Sequence, residues 1–290
     1  MTDGTLYRLS AFTTTPEGGN PAGVWIGDRL PSAAEMQRIA SEVGFSETAF
    51  VAPGDGITRM VRYYSPEAEV AFCGHATIAA GVQIGELNGE GEYQFEIEPG
   101  TVAVAVRTEN GLPIASLTSV EPKQKPVSPA LLDAVLGALD WTESELDPSL
   151  PPVNAYAGAW HLVIAAAQLE RLSRLQYDFE RLRHVMLENS LTTIQLLWRE
   201  SADTFHARDP FPVGGVVEDP ATGAAAAALG GYLRALNQVQ VPARIVILQG
   251  EVIGRPSRLT VDIPVVGGIT VSGHAVRLPD DYPPLKRLPA

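Results

Sequence analysis

The sequence predicts an α+β protein of two related domains, and three observations carry that expectation. Short apolar or alternating runs bounded by glycine, proline and asparagine outnumber helical patterns. The order strand, loop, small-residue helix, hairpin occurs in the first half and returns in the second. The two occurrences also match locally. Arg62-Tyr63-Tyr64-Ser65-Pro66 leads to Ala76-Thr77, and His206-Ala207-Arg208-Asp209-Pro210 leads to Ala221-Thr222, with proline and threonine 11 and 12 positions apart. Chance matching of short patterns is the alternative.

In order, Leu6 to Phe12 and Val24 to Ile26 are short apolar runs separated by the turn-forming Pro16-Glu17-Gly18-Gly19-Asn20-Pro21. A helix over 33–43 follows: Ser32 and Glu35 form a capping box, Met36, Ile39, Ala40 and Val43 repeat at helical spacing, and Gly44 ends it. Strands are predicted at 47–51 and 58–64, then a polar loop and a helix beginning near His75. Runs 93–98 and 102–108 alternate and are followed by Glu109-Asn110-Gly111, a hairpin turn. After a strand at 115–120, the polar Glu121-Pro122-Lys123-Gln124-Lys125-Pro126 suggests an interdomain linker. The second half opens with a helix capped by Ser128, with Pro129 first and Leu131, Leu132, Val135, Leu136 and Leu139 turned inward. Strands at 161–166, 193–198 and 204–207 alternate with helical segments 168–175 and 179–187. The loop Asp219-Pro220-Ala221-Thr222-Gly223 precedes an alanine-rich helix to about Leu236, and strands at 244–248, 259–263 and 270–278 complete the pattern. The expected domains are 1–121 and 127–278, with the tail 279–290 returning to the first.

The 290 residues suit two domains at about 150 residues each. Their 45% apolar content excludes a disordered chain. The net charge of −13, with arginines 171, 174, 181 and 183 interleaved with acids, argues against nucleic acid as a partner. A single cysteine, Cys73, forms neither an internal disulfide nor a thiolate zinc site, and with no basic and apolar leader or long apolar run the expectation is a cytoplasmic protein off the membrane. Zinc-protease, calcium-loop, dinucleotide, P-loop and serine-hydrolase motifs are absent, so neither metal nor cofactor is expected.

The candidate site lies at the two small-residue helix starts. The first backbone N–H groups of a helix lack internal partners and attract anions, and Gly74 and Gly223 would let a ligand approach. A small carboxylate is the ligand class this suits. For Ala224 to Ala228, tight helix packing competes with that reading. Asp219 before Pro220 has the pattern of an N-cap, so a structural role competes with a functional one. His75 at a helix start is either packed or poised as a neutral donor or acceptor. Glu47 shares an alternating face with Ala49 and Val51: buried, it suits a general base; exposed, it is an ordinary strand-end charge. Cys73 is either an acidified thiol or a small buried residue.

The ordered set Gly18-Gly19-Asn20-Pro21-Ala22-Gly23-Val24, Ser46-Glu47-Thr48-Ala49-Phe50-Val51, Cys73-Gly74-His75-Ala76-Thr77 and Glu218-Asp219-Pro220-Ala221-Thr222-Gly223 resembles the phenazine-biosynthesis PhzF-like proteins. Gln249-Gly250, Gly254-Arg255-Pro256 and 271–276 also fit, so the resemblance spans about residues 11–278. It implies a diaminopimelate-epimerase-like fold: two pseudo-symmetric domains, each a mostly antiparallel sheet wrapped around a central helix, with a cleft site between them. It also implies a cofactor-independent, homodimeric isomerase acting like trans-2,3-dihydro-3-hydroxyanthranilate isomerase by an intramolecular proton shift. Glu47 matches the general base, with His75 and Asp219 as polar partners. Asn20, Gly74, Ala76, Thr77, Thr222, Gly223 and Ala224 would line the substrate. The namesake enzymes carry a serine after the Asp-Pro-x-Thr-Gly motif, where this chain has Ala224. Two alternatives stand beside this reading: a racemase or epimerase using Cys73, and a catalytically silent protein binding a small anion or another protein.

Overall fold

A computed structural model describes residues 3–98 and 100–283. The chain forms two compact units, residues 3–118 with 272–283 and residues 119–271. In chain order the first contains β1 (Gly4–Ala11), β2 (Asn20–Gly27), α1 (Ala33–Val43), β3 (Glu47–Pro53), β4 (Thr58–Tyr64), β5 (Glu69–Val70), α2 (Gly74–Asn88), β6 (Gly91–Ile97), β7 (Gly100–Glu109) and β8 (Leu112–Thr118). The second contains β9 (Lys123–Pro126), α3 (Pro129–Leu139), β10 (Val153–Tyr156), β11 (Trp160–Ala165), α4 (Leu169–Ser173), α5 (Phe179–Glu188), β12 (Thr193–Arg199), β13 (Thr204–Pro210), β14 (Glu218–Asp219), α6 (Gly223–Ala235), β15 (Ala243–Gln249) and β16 (Ser257–Ile263). Strand β17 (Thr270–Arg277) carries the chain back to the first unit.

The first unit is a closed strand barrel. β1 pairs with β2, β2 with β3, β3 with β4, β4 with β6, β6 with β7, β7 with β8, β8 with β17, and β17 with β1. Closure leaves the ring without an exposed edge. The β2–β3 and β4–β6 pairs are parallel, because α1 and α2 respectively supply the crossovers. Helix α2 packs against β1, β2, β3, β7 and β8, and every residue from His75 to Ile84 is buried. Its alanines and glycines let the strands approach closely, and each buried isoleucine contributes roughly 1.5–3 kcal/mol of transfer free energy.

The second unit repeats the pairing senses. From β1 to β7 the order is antiparallel, parallel, antiparallel, parallel, antiparallel; from β10 to β16, through β11, β12, β13 and β15, it is the same. Each unit also places a two-residue strand, β5 or β14, against the end of the preceding long strand just before its small-residue helix. Helix α6 is buried from Ala225 to Leu233 and packs on β9, β10, β11 and β16. A separate apolar layer of α3, α4 and α5 surrounds Leu136, Leu139, Leu182 and Met186.

Local chemistry explains most element ends. Ser32 Oγ accepts from the Glu35 amide, and Gly44 closes α1 at φ 68°. Only half of the predicted capping box forms, because the Glu35 carboxylate turns outward to Arg38. Asn110 and Gly111 both have positive φ, 52° and 79°, as the β7–β8 hairpin requires. Ser128 caps α3 with Pro129 in its first turn.

The predicted linker is corrected. Residues 123–126 form β9, an edge strand paired along its length with β10, and Lys123 and Lys125 lie over the rings of Tyr156 and Trp160. Exposed lysines and prolines suit an edge strand as well as a linker, and only the partner distinguishes them. Of the tail 279–290, Tyr282 packs on Phe45, while 284–290 lie outside the described residues.

Candidate active site

In the first unit, the turn that ends α1 delivers Ser46 and Glu47 to the start of β3, and the loop after β5 delivers Cys73 and His75 to the start of α2. These side chains meet. Glu47 Oε2 lies 3.4 Å from His75 Nε2, with side-chain exposures of 14% and 6%, so Glu47 is intermediate in burial and nearer the buried alternative than the exposed one. Ser46 Oγ is 3.3 Å from the same nitrogen, and Cys73 Sγ is 3.4 Å from Nδ1. The ring's hydrogen bonds link Nε2 with the Ser46 hydroxyl and Nδ1 with the Cys73 thiol, and the Glu47 carboxylate stands beside Nε2. The result is a largely buried carboxylate beside an imidazole nitrogen, an arrangement suited to accepting and returning a proton.

Cys73 is the N-cap of α2 but makes no side-chain capping bond. The amides of Gly74, His75 and Ala76 therefore open the helix without intrahelical acceptors. Thr77, predicted to line the substrate, is different: its amide and hydroxyl both donate to the Cys73 carbonyl, and its hydroxyl takes the proton of Tyr63. It is fully buried and holds the first turn together. Asn20 is buried at the start of β2, opposite Ala11.

The donor set Glu47, Cys73 and His75 also has metal-ligand spacing, with its ligand atoms all within 4.8 Å of one another. Thiolate, imidazole and carboxylate at that separation suit a zinc-like ion. A hollow of about 570 Å³ lies elsewhere in this unit, at the far ends of β3 and α2, lined by Val51, Pro53, Arg59, Ile84 and Asn88. It contains none of these three groups.

In the second unit the N-cap position of α6 falls at Thr222, three residues after Asp219. The Thr222 amide donates to Gln249 Oε1 at 3.1 Å. The Asp219 carboxylate accepts the Thr222 hydroxyl proton at 2.6 Å, and Gln249 Nε2 donates to both the Asp219 carbonyl and Thr222 Oγ1. Gln249 thus clamps the strand-to-helix turn. Gly223, Ala224 and Ala225 supply the opening amides, and Ala224 is the partly exposed member.

Behind this turn lies a polar cluster that sequence reasoning missed. Asp209 pairs with Asp219 across β13 and β14; Thr193 Oγ1 donates to Asp209 Oδ1 at 3.4 Å and contacts His161 Nδ1 at 2.8 Å. Burial drives the His161 pKa down to about 3. Burial, then the Asp219 charge, hold the Asp209 carboxyl well above its usual range. The available signal was a histidine and an aspartate set inside apolar strands. Arg208 and Glu218 form a buried bidentate ion pair beside the cluster.

Comparison with known proteins extends this geometry. The model of the family described as phenazine biosynthesis-like protein matches residues 9–280. The chain belongs to that family. Trans-2,3-dihydro-3-hydroxyanthranilate isomerase of Pseudomonas fluorescens is 33% identical over 86% of this chain and 86% of its own. The uncharacterized isomerase YfhB of Bacillus subtilis is 27% identical, covering 95% of this chain and 97% of its own. The crystal structure of a Bacillus anthracis phenazine biosynthesis protein of the PhzF family superposes with TM-score 0.83 and 26% identity, over 94% and 96% of the two chains. Membership in the phenazine biosynthesis-like family places this chain among isomerases. No helix of the described residues is long and apolar enough to cross a membrane.

Proposed function

We propose that this protein is a cofactor-independent isomerase of a small carboxylate-bearing metabolite, with Glu47 moving the proton. The observation that carries the proposal is the 3.4 Å contact between the largely buried Glu47 carboxylate and His75. Glu47 takes a proton from a substrate carbon, the bond electrons move into the adjoining π system, and the same carboxyl returns the proton to another carbon on that face. Atoms and electrons balance without a second reactant. His75 steadies Glu47 while it is ionised. The opening amides of α2 at Gly74, His75 and Ala76 hold the substrate carboxylate or the charge that develops on it. Asp219 is the polar partner carried over from the family motif, with Thr222 and Gly223 beside it.

The repeated pairing senses support a second part of the proposal: the units, residues 1–121 and 127–278 in sequence terms, are pseudo-symmetric copies, each wrapped around its small-residue helix. The namesake substrate is the first probe, but Ala224 stands where those enzymes carry a serine. A related carboxylate that needs no hydroxyl there suits this chain better. The test is incubation of trans-2,3-dihydro-3-hydroxyanthranilate and related cyclic carboxylates in heavy water. Wild-type protein incorporates deuterium at substrate carbon, and Glu47→Gln does not. Undiminished incorporation by Glu47→Gln would remove Glu47 from its role; binding without exchange by the wild type would favour a silent anion-binding protein.

A further inference from the structure

Beneath the start of α6 a fully buried carboxyl, Asp209, stands across from a second acid, Asp219, and is short of hydrogen-bond donors. Thr222 has one hydroxyl proton, and Asp219 Oδ2 takes it at 2.6 Å. One lone pair of that hydroxyl accepts from Gln249 Nε2 at 3.0 Å, which leaves the other for a further donor. The neighbour beside it is the Asp209 carboxyl. Asp209 is fully buried, its Oδ1 accepts only the long 3.4 Å contact from Thr193, and its Oδ2 is met by no hydrogen-bond donor. With the Thr193 proton directed to Asp209, His161 must donate Nδ1–H to Thr193 and is neutral, so it brings no balancing charge.

An ionised Asp209 would therefore have one weak bond for two oxygens, in a dry site beside a second carboxylate. That is among the costliest arrangements a buried carboxylate can adopt. A protonated Asp209 meets every requirement, since its O–H completes the Thr222 hydroxyl. The first unit has a neutral donor at the matching place. Tyr63 occupies the penultimate position of β4, as Asp209 does in β13, and Tyr63 Oη lies 2.7 Å from the Thr77 hydroxyl.

We propose that Asp209 carries a proton in the resting protein and presents it to Thr222, fixing that hydroxyl on Asp219. Asp209 is then a positioning residue for the site. Its use in catalysis rests on the proposed role of Asp219, whereas its proton does not. The groups facing it are Thr193 of β12, His161 of β11, Asp219 and Glu218 of β14, Thr222 at the start of α6, and Gln249 of β15. On its own strand, Arg208 is engaged by Glu218.

Infrared difference spectroscopy of the full chain at pH 7 tests the proton directly. Expected is a carboxylic-acid carbonyl band that shifts in heavy water, is lost in Asp209→Asn and is retained in Asp133→Asn, an exposed control. Carboxylate bands alone, or an acid band that survives Asp209→Asn, overturn the proposal. If Asp209→Asn fails to fold, carbon NMR of aspartate-labelled wild type replaces it. One carboxyl resonance then stays at its protonated position through neutral pH and moves in Thr222→Val; ionised positions for all aspartates overturn it. The positioning role is read separately. Asp209→Asn, which keeps an N–H donor, holds kcat/KM within a few-fold, while Asp209→Val loses roughly tenfold to a hundredfold, chiefly in kcat. Equal losses in both variants remove the positioning role. If the wild type isomerises nothing, the infrared band still decides the proton, and the functional reading fails by itself.

Discussion

At the scale of single residues, legibility followed local contrast. Glu47 stood out because a carboxylate interrupts an apolar run, and the structure places it on a buried His75. Asp219 carried two meanings, cap or site, because Asp-Pro before a helix has the same sequence either way; the structure puts the N-cap position at Thr222, whose hydroxyl Asp219 holds. Asp209 carried only a weak local signal, since its burial and its pairing with Asp219 are set by how the strands fold together. Cys73 provides the residue-scale prediction. Its thiol meets His75 Nδ1 at 3.4 Å, but the Glu47 contact uses the other nitrogen. Cys73→Ala should therefore keep proton-shift activity within about an order of magnitude, a loss near 1.4 kcal/mol at most in transition-state terms. Steady-state kinetics with heavy-water exchange checks this, and loss of all turnover would favour the thiol-based racemase.

At the scale of elements, helices with caps were read within a residue or two, because capping chemistry is local: Ser32 to Gly44 and Ser128 to Leu139 show it. The stretch 123–126 was misread, because a strand with one exposed side has a linker's composition until its partner is known. Packing also gives glycines of α2 a reason that propensity lacks. A Cβ on Gly85 would lie 2.3 Å from Val106 Cγ1 on β7. Gly85→Ala gains up to about 1 kcal/mol in helix propensity, yet crowding against a closed barrel should cost roughly 1–3 kcal/mol. We expect a lower thermal midpoint for Gly85→Ala, and partial recovery in Gly85→Ala/Val106→Ala. A Gly85→Ala variant more stable than wild type would show that β7 yields easily.

At the scale of the whole molecule, stability against pH carries two opposing contributions from the same buried cluster. His161 has a folded pKa of about 3 against 6.5 when free, so its contribution is complete above 6.5 and is lost as pH falls toward 3. Asp209 is raised above 3.8, so its contribution is complete below 3.8 and is lost as pH rises through its folded value. Measured against His161→Gln, which cannot charge, wild type should lose roughly 2 kcal/mol between pH 7 and pH 5 in denaturant unfolding. Measured against Asp209→Asn, it should gain over the same interval. Parallel pH profiles for wild type and His161→Gln would mean that the His161 site admits water or a counter-charge.

The net charge of −13 bears on polyanionic partners, while a small carboxylate responds to nearby amides because the wider field is screened beyond about 10 Å. The sequence by itself determined the α+β class, the capped helices, the two small-residue helix starts, and Glu47, His75 and Asp219 as the residues to watch. Those rest on periodicity, capping and ordered motifs, which act over a few residues. Only the tertiary structure decided that β9 is a strand, that β1 to β8 close with β17 into a barrel, that Thr77 is consumed inside its helix, and that Asp209, Thr193 and His161 lie behind Asp219. Each depends on burial and partners supplied by distant strands, and a buried polar group takes its protonation and its role from those partners.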